Sequence, residues 1–255
     1  MTAPGPSREG AGRHALTAPA VMLSGTARLQ GATLFGPLTL TLAAGRWTGL
    51  LGPSGVGKST LLRLLAGLET GADFAGRIEA DDGAPLTGRV AYMGQGDLLL
   101  PWADVRGNVM LGPRLRGERA DPDRASDLIR RVGLEAHAHK RPDALSGGQR
   151  QRAALARTLM EDRAVVVLDE PFSALDAGTR AEMQELAGAL LRGRTVLMVT
   201  HDPFEAARMS DAAFLMRAGG LDPIALPAGP PVRPLDDTAT LEAQAALLGR
   251  LRSAA

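Results

Sequence analysis

The chain has 255 residues, carries 29 Lys and Arg against 28 Asp and Glu for a formal net charge of +1, and contains no cysteine. The even charge balance excludes a global field that would draw the molecule to nucleic acid or to an anionic membrane surface. The absence of thiols excludes disulfides, thiolate zinc sites and cysteine nucleophiles, and agrees with a reducing cytosolic setting.

The length suits one large domain carrying an inserted lobe. Residues 1–20, rich in Pro, Gly and Ala, lack the apolar segment of a signal peptide and are expected to form a disordered tail, or upstream sequence if Met22 is the true start. The domain proper is expected over 21–235. Residues 38–51 alternate and then turn almost wholly apolar, run into a glycine-rich turn, and continue as LLRLLAG with helical spacing, giving strand, loop and helix. From about 96 to 163 helical stretches such as ASDLIRRVGL and QRQRAALARTLM dominate, which predicts a helical lobe between sheet strands. AVVVLD at 164–169 and TVLMVT at 195–200 are apolar throughout, as expected of strands covered on both faces of a parallel sheet. A proline-rich connector follows, and 236–255 is expected to form a helix packed on the domain through Leu241, Leu247, Leu248 and Leu251. The fold class is therefore α/β. No apolar run reaches the roughly 18–20 residues that span a bilayer, so work at a membrane requires an anchor from another chain.

Three constellations carry chemistry. GPSGVGKS at 52–59, followed by Thr60, fits G-x-x-x-x-G-K-[ST] between a strand and a helix. Gly52, Gly55 and Gly57 let the backbone around Pro53, Ser54 and Val56 curl until its N–H groups converge on phosphate oxygens, and the helix adds the positive end of its dipole. Lys58 is placed for the β- and γ-phosphates of ATP, and the Ser59 hydroxyl for Mg²⁺. Asp169 and Glu170 end an apolar strand at the ligand-binding edge of an α/β sheet. Their side chains point to opposite sides, so Asp169 is assigned to the Mg²⁺ shell and Glu170 to the attacking water. LSGGQRQR at 145–152 places Ser146, Gly147, Gly148 and Gln149 at a second anion-binding helix start. One nucleotide does not need two such sites from one chain, so this one is expected to meet the ATP of another copy.

With LSGGQ and the phosphate loop together, residues 22–220 resemble the ABC ATPase family. The resemblance implies a P-loop NTPase core with a mainly parallel sheet, an antiparallel β region and an inserted helical subdomain. It implies that Gln95 contacts Mg²⁺ and the lytic water, that Ser173, Ala174, Leu175 and Asp176 form a loop crossing a homodimer interface, and that His201 contacts the γ-phosphate. LLLPW at 98–102 resembles importer motors of the nitrate, sulfonate, taurine and thiamine-precursor group, in which an integral-membrane permease docks nearby; Trp102 serves that contact or lobe packing. The implied setting is the cytoplasmic face of the inner membrane, with an extracytoplasmic solute-binding protein as an indirect partner and no nucleic acid. A non-transport ATPase acting on ribosomes or DNA, and an exporter motor, are the competing readings. Two positions depart from the family pattern. The aromatic residue that stacks on adenine is replaced around Gly31, with Phe35 the nearest substitute, and Gly94 stands where relatives carry a bulky residue. His137 and His139 are expected to be exposed, without metal-ligand spacing.

Overall fold

Alternating buried and exposed side chains make β1 (Val21–Leu29) and β2 (Ala32–Leu42) one-sided strands, whereas all five residues of β3 (Trp47–Leu51) are buried. The chain continues through α1 (Lys58–Leu65), β4 (Asp73–Ala80), β5 (Val90–Met93), α2 (Val105–Val109), α3 (Leu111–Leu115), α4 (Pro122–Arg131) and α5 (Gly147–Met160). It then forms β6 (Val165–Asp169), α6 (Ala177–Leu190), β7 (Thr195–Val199), α7 (Pro203–Met209), β8 (Ala212–Arg217), β9 (Gly220–Ile224) and α8 (Thr238–Arg252). This computed structural model describes residues 18–173 and 175–252; Ala174 and most of the tail expected over 1–20, with His14, lie outside the described residues. Residues 19 and 20 are tied to the domain. The Pro19 carbonyl accepts from Thr195 Oγ1 at 2.7 Å, and Ala20 exchanges two 3.0 Å hydrogen bonds with Asp81.

Two sheets result. β2-β1-β4 is antiparallel, and β5-β6-β7-β3-β8-β9 is parallel except for its edge strand β9. β3, β6 and β7 are buried throughout, as sheet strands covered on both faces must be. On one face, Leu61, Leu62 and Leu65 of α1 pack with Val165, Val167, Leu197 and the inner side of β1 and β2. On the other, Val166, Leu168 and Met198 share a core with Val105, Val109, Ile129 and Leu155 of the helical lobe. The lobe is thus a helical layer continuous with the sheet's own core. Fully buried Asn108 fixes its entry loop, accepting from Leu100 N at 2.7 Å and donating to the carbonyls of Leu100, Ala103 and Asp104.

The C-terminal connector is stapled by buried Arg233, whose guanidinium donates to the carbonyls of Ala207, Ser210, Pro227 and Gly229. Beyond it, α8 packs on α7 through Leu247, with Ala243 and Leu251 partly buried beside it. Leu241 and Leu248, expected on the packed face, stand exposed instead, because a single line of contact with α7 covers only one stripe of α8.

Candidate functional site

The carboxyl ends of β5, β6, β7 and β3 lie side by side, which brings residues 95, 169–170, 201 and 52–59 to one sheet edge. After β3 the loop curls through Gly52, Gly55 and Gly57 at φ 155°, 81° and 102°. A Cβ at Gly52 would stand 2.5 Å from the Met216 carbonyl oxygen, and one at Gly57 would stand 2.7 Å from Phe35, so the curl is available only to glycine. Lys58 Nζ donates to its own loop's carbonyls, Gly52 O and Pro53 O, each at 2.8 Å. Burial holds its ammonium below the ordinary lysine range, against the attraction of Glu170 and Asp169. A cation clamped on the rim of a glycine-curled loop at a helix start is arranged for a polyanion. The loop opens on a cleft of about 390 Å³ lined by Ser54, Lys58, Ser59, Thr60, Gln95 and Glu170 among others.

At the end of β6 the two acids diverge. Asp169 is buried toward α1, where it accepts from Ser59 and, at 3.5 Å, from Tyr92 Oη; desolvation, helped by the charge of Glu170, raises its carboxyl above the usual range. Glu170 faces the cleft with φ at 48°, the left-handed region that a non-glycine residue seldom occupies. Its N–H donates to Val199 O at 2.9 Å and its carbonyl accepts from Ser173 Oγ at 3.1 Å, which fixes that backbone. Its Oε2 is approached from two sides, by Gln95 Nε2 at 3.4 Å and by His201 Nδ1 at 3.3 Å. A carboxylate held between an amide and an imidazole, opposite a phosphate loop, can orient a water and take its proton.

Ser146, Gly147, Gly148 and Gln149 do not line this cleft. Ser146 caps α5, accepting from Gln149 N at 3.2 Å, while Gln149 Oε1 accepts from Ser146 N at 2.9 Å, a closed capping box. Asp176 caps α6 by accepting from Thr179 N, a bond that holds its carboxyl below the usual range. Thr179 in turn abuts Gly148, where a Cβ would come within 2.6 Å of Thr179 Cγ2. The starts of α5 and α6 are thus packed together, and the residues of the α5 start do not line the cleft of their own chain.

The family model described as ABC transporter matches residues 35–173, more than half of the chain. The chain belongs to the ABC transporter family. It is 48% identical over 191 residues to an uncharacterized ABC transporter ATP-binding protein of Haemophilus influenzae, covering 74% of this chain and 78% of that one. It is 45% identical over 196 residues to the aliphatic sulfonates import ATP-binding protein SsuB 1 of Rhodococcus jostii, covering 76% and 77%. A solved dimeric ATP-binding cassette in a post-hydrolysis state, bound to ADP and Pi, superposes with a TM-score of 0.69 at 26% identity, over 82% of this chain and 100% of that one.

Two expectations need correction, one on the adenine platform and one on His137. Phe35 is fully buried under Gly57 and cannot meet a base, because β2 changes phase at Gly36-Pro37 and turns Phe35 to the same side as Leu38, Leu40 and Leu42. Gly31 sits in the β1–β2 turn outside the cleft; Leu29 and Leu34 line it instead, a pair that sequence reading did not single out. His137 is half-buried rather than exposed, its Nε2 3.1 Å from Gln149 Nε2, whereas His139 is exposed as expected. Gly94 has a local reason: a Cβ there would stand 2.9 Å from Leu98 Cδ1 and 3.1 Å from Tyr92 Cε1.

The first turn of α7 holds a buried acid that sequence reading passed over. Glu205 accepts from Thr200 Oγ1 at 2.6 Å, and Arg180 lies 3.8 Å away, bridging to Asp202 at 3.2 Å and to the Leu175 carbonyl at 2.9 Å. Burial pushes the Glu205 carboxyl up to about 7 from an ordinary 4.5. A raised folded-state pKa favours folding while the group is protonated, so this stabilisation is complete below the ordinary value and is lost as pH rises through about 7. Glu205→Gln, neutral throughout, is expected to gain on the order of 2–3 kcal/mol over the parent at pH 8 and almost nothing at pH 5. Denaturant melts at the two pH values check this, and equal effects at both would remove the titration of Glu205 as the cause.

Proposed function

We propose that this chain is the ATP-hydrolysing motor of a bacterial importer, working as a homodimer on a separate integral-membrane permease. The observation that carries the reading is the approach of Gln95 and His201 to Glu170 Oε2 across the cleft from the phosphate loop. In this reading the N–H groups of residues 54–60 hold the triphosphate, Lys58 leaves its two carbonyls for the β- and γ-phosphates, and Glu170 takes the proton of the attacking water. His201 and Gln95 hold that water and the γ-phosphate in line. The oxygen donors at Ser59, Asp169 and Gln95 suit Mg²⁺ and would hold it beside the phosphates. Among the described residues no cluster of three or more His, Asp or Glu offers a cage for a metal by itself. When bound, Mg²⁺ neutralises charge on the phosphates.

Ser146, Gly147, Gly148, Gln149 and Asp176 act on the ATP of the second copy, a reading supported by their separation from the cleft of their own chain and by the dimeric ADP-bound cassette. Closure reaches the permease through the segment after Gln95. Arg157 donates to the carbonyls of Asp97 and Leu98 at 2.8 and 2.6 Å, and Arg150 pairs with Asp97 at 2.8 Å, so this segment moves with α5. Leu98 and Trp102 in it are 63% and 69% exposed, which suits a docked partner and leaves Trp102 no part in lobe packing. No described helix is long and apolar enough to cross a membrane, so the permease supplies the anchor at the cytoplasmic face. The cargo is selected by the permease and an extracytoplasmic solute-binding protein.

The test is purification of the tagged chain from gently solubilised host membranes, with mass spectrometry of its partners. The expected main partner is a polytopic membrane protein; recovery with ribosomes or DNA and no permease would overturn the importer reading while leaving the ATPase chemistry standing.

A further inference from the structure

The contact between His137 and Gln149 can be resolved atom by atom. A backbone N–H only donates, so the amide atom 2.9 Å from Ser146 N is Gln149 Oε1, and the NH₂ group is thereby turned to His137 Nε2 at 3.1 Å. That NH₂ group only donates as well. His137 Nε2 therefore accepts, which puts the proton of the neutral ring on Nδ1. Nδ1 is buried without a hydrogen-bond partner among the described residues. An apolar ring of similar size would avoid that loss, so what the imidazole contributes here is the acceptor at Nε2.

The contact reaches further than the pair. His137 ends the 3₁₀ turn Glu135–His137 and donates its N–H to the carbonyl of Leu134, a buried residue of the lobe core, at 2.9 Å. Gln149 in turn holds Ser146 twice, through Oε1 and through its own N–H, which donates to Ser146 Oγ at 3.2 Å. A hydroxyl that accepts from its own helix keeps its proton free to donate outward, and Ser146 and Gly147 are exposed. From these contacts we infer that His137 is a positioning residue for hydrolysis: accepting at Nε2, it fixes the Gln149 amide and through it the Ser146 hydroxyl that meets the phosphates of the second copy's ATP. Without the acceptor the amide turns freely, and the capping box that aims Ser146 opens.

The inference rests on the proposed action of the α5 start across a dimer, and the experiments separate the two. Long-range proton–nitrogen NMR of the folded full-length chain at about pH 8 reads the His137 ring directly, its signals being those lost in His137→Gln. The expected tautomer carries its proton on Nδ1; a proton on Nε2, alone or together with Nδ1, would overturn the inference. In turnover assays His137→Phe, a ring without an acceptor, is expected to lower kcat about five- to tenfold while KM for ATP stays within about twofold, since the α5 start does not line its own cleft. His137→Gln, whose amide oxygen reaches the place of Nε2, is expected to stay within about twofold of the parent. Parental kcat in His137→Phe, equal losses in both variants, or a loss carried by KM alone would each overturn the positioning role. Parental turnover in Ser146→Arg would overturn the composite site and this inference with it.

Discussion

Glu170→Gln is expected to bind ATP at least as well as the parent while turnover falls on the order of 10²–10⁴-fold, the usual weight of a general base. The substitution keeps the size of the side chain, and an amide oxygen can still accept from Gln95 and His201, which stand 3.4 and 3.3 Å from Oε2 in the parent. What it removes is the capacity to take a proton from water and a negative charge beside the triphosphate. On the proposed reading, loss of the charge would favour binding and loss of the base would block hydrolysis, so a dimer closed on ATP is expected to accumulate. Single-turnover kinetics together with gel filtration in ATP check both halves. Parental turnover would remove Glu170 from the reaction, and slow turnover with weak binding would make its role one of holding the site together.

The second large effect concerns the composite site. On the composite-site reading, Lys58→Ala and Ser146→Arg are each expected to lower turnover by about 10²-fold or more, because each would remove an electrostatic contact to the phosphates. Ser146→Arg leaves the phosphate loop untouched and retains ATP binding, since Ser146 does not line the cleft. Mixing the two inactive chains is the informative step. A mixed dimer unites the intact phosphate loop of the Ser146→Arg chain with the intact Ser146 of the Lys58→Ala chain, and part of the turnover returns. Were each chain to hydrolyse ATP alone, no mixture would recover activity.

Much of this was legible in the sequence because its signals are contiguous. The phosphate loop, the strand ending in Asp169-Glu170 and the serine-glycine start of α5 each carry their chemistry within about eight residues, and the apolar runs around them identify a sheet covered on both faces. Gln95 and His201 entered only by family resemblance. Their meeting with Glu170, 75 residues beyond Gln95, depends on the strand order β5-β6-β7-β3, which sets the ends of β5 and β7 on either side of β6.

The sequence by itself determined the fold class, the phosphate-binding loop and the pair of acids, since local backbone geometry and strand burial impose recognisable residue types. The tertiary structure alone decided what stands across from them. Phe35 looked available for a base until the phase change at Gly36-Pro37 turned it inward, and Leu29 became a cleft residue only when the β1–β2 hairpin folded against Gly57. His137 met Gln149, and Glu205 became a buried acid, through contacts that no spacing announces. Periodicity records which residues are apolar; which face turns inward, and what it meets, is fixed by the register and packing of distant segments.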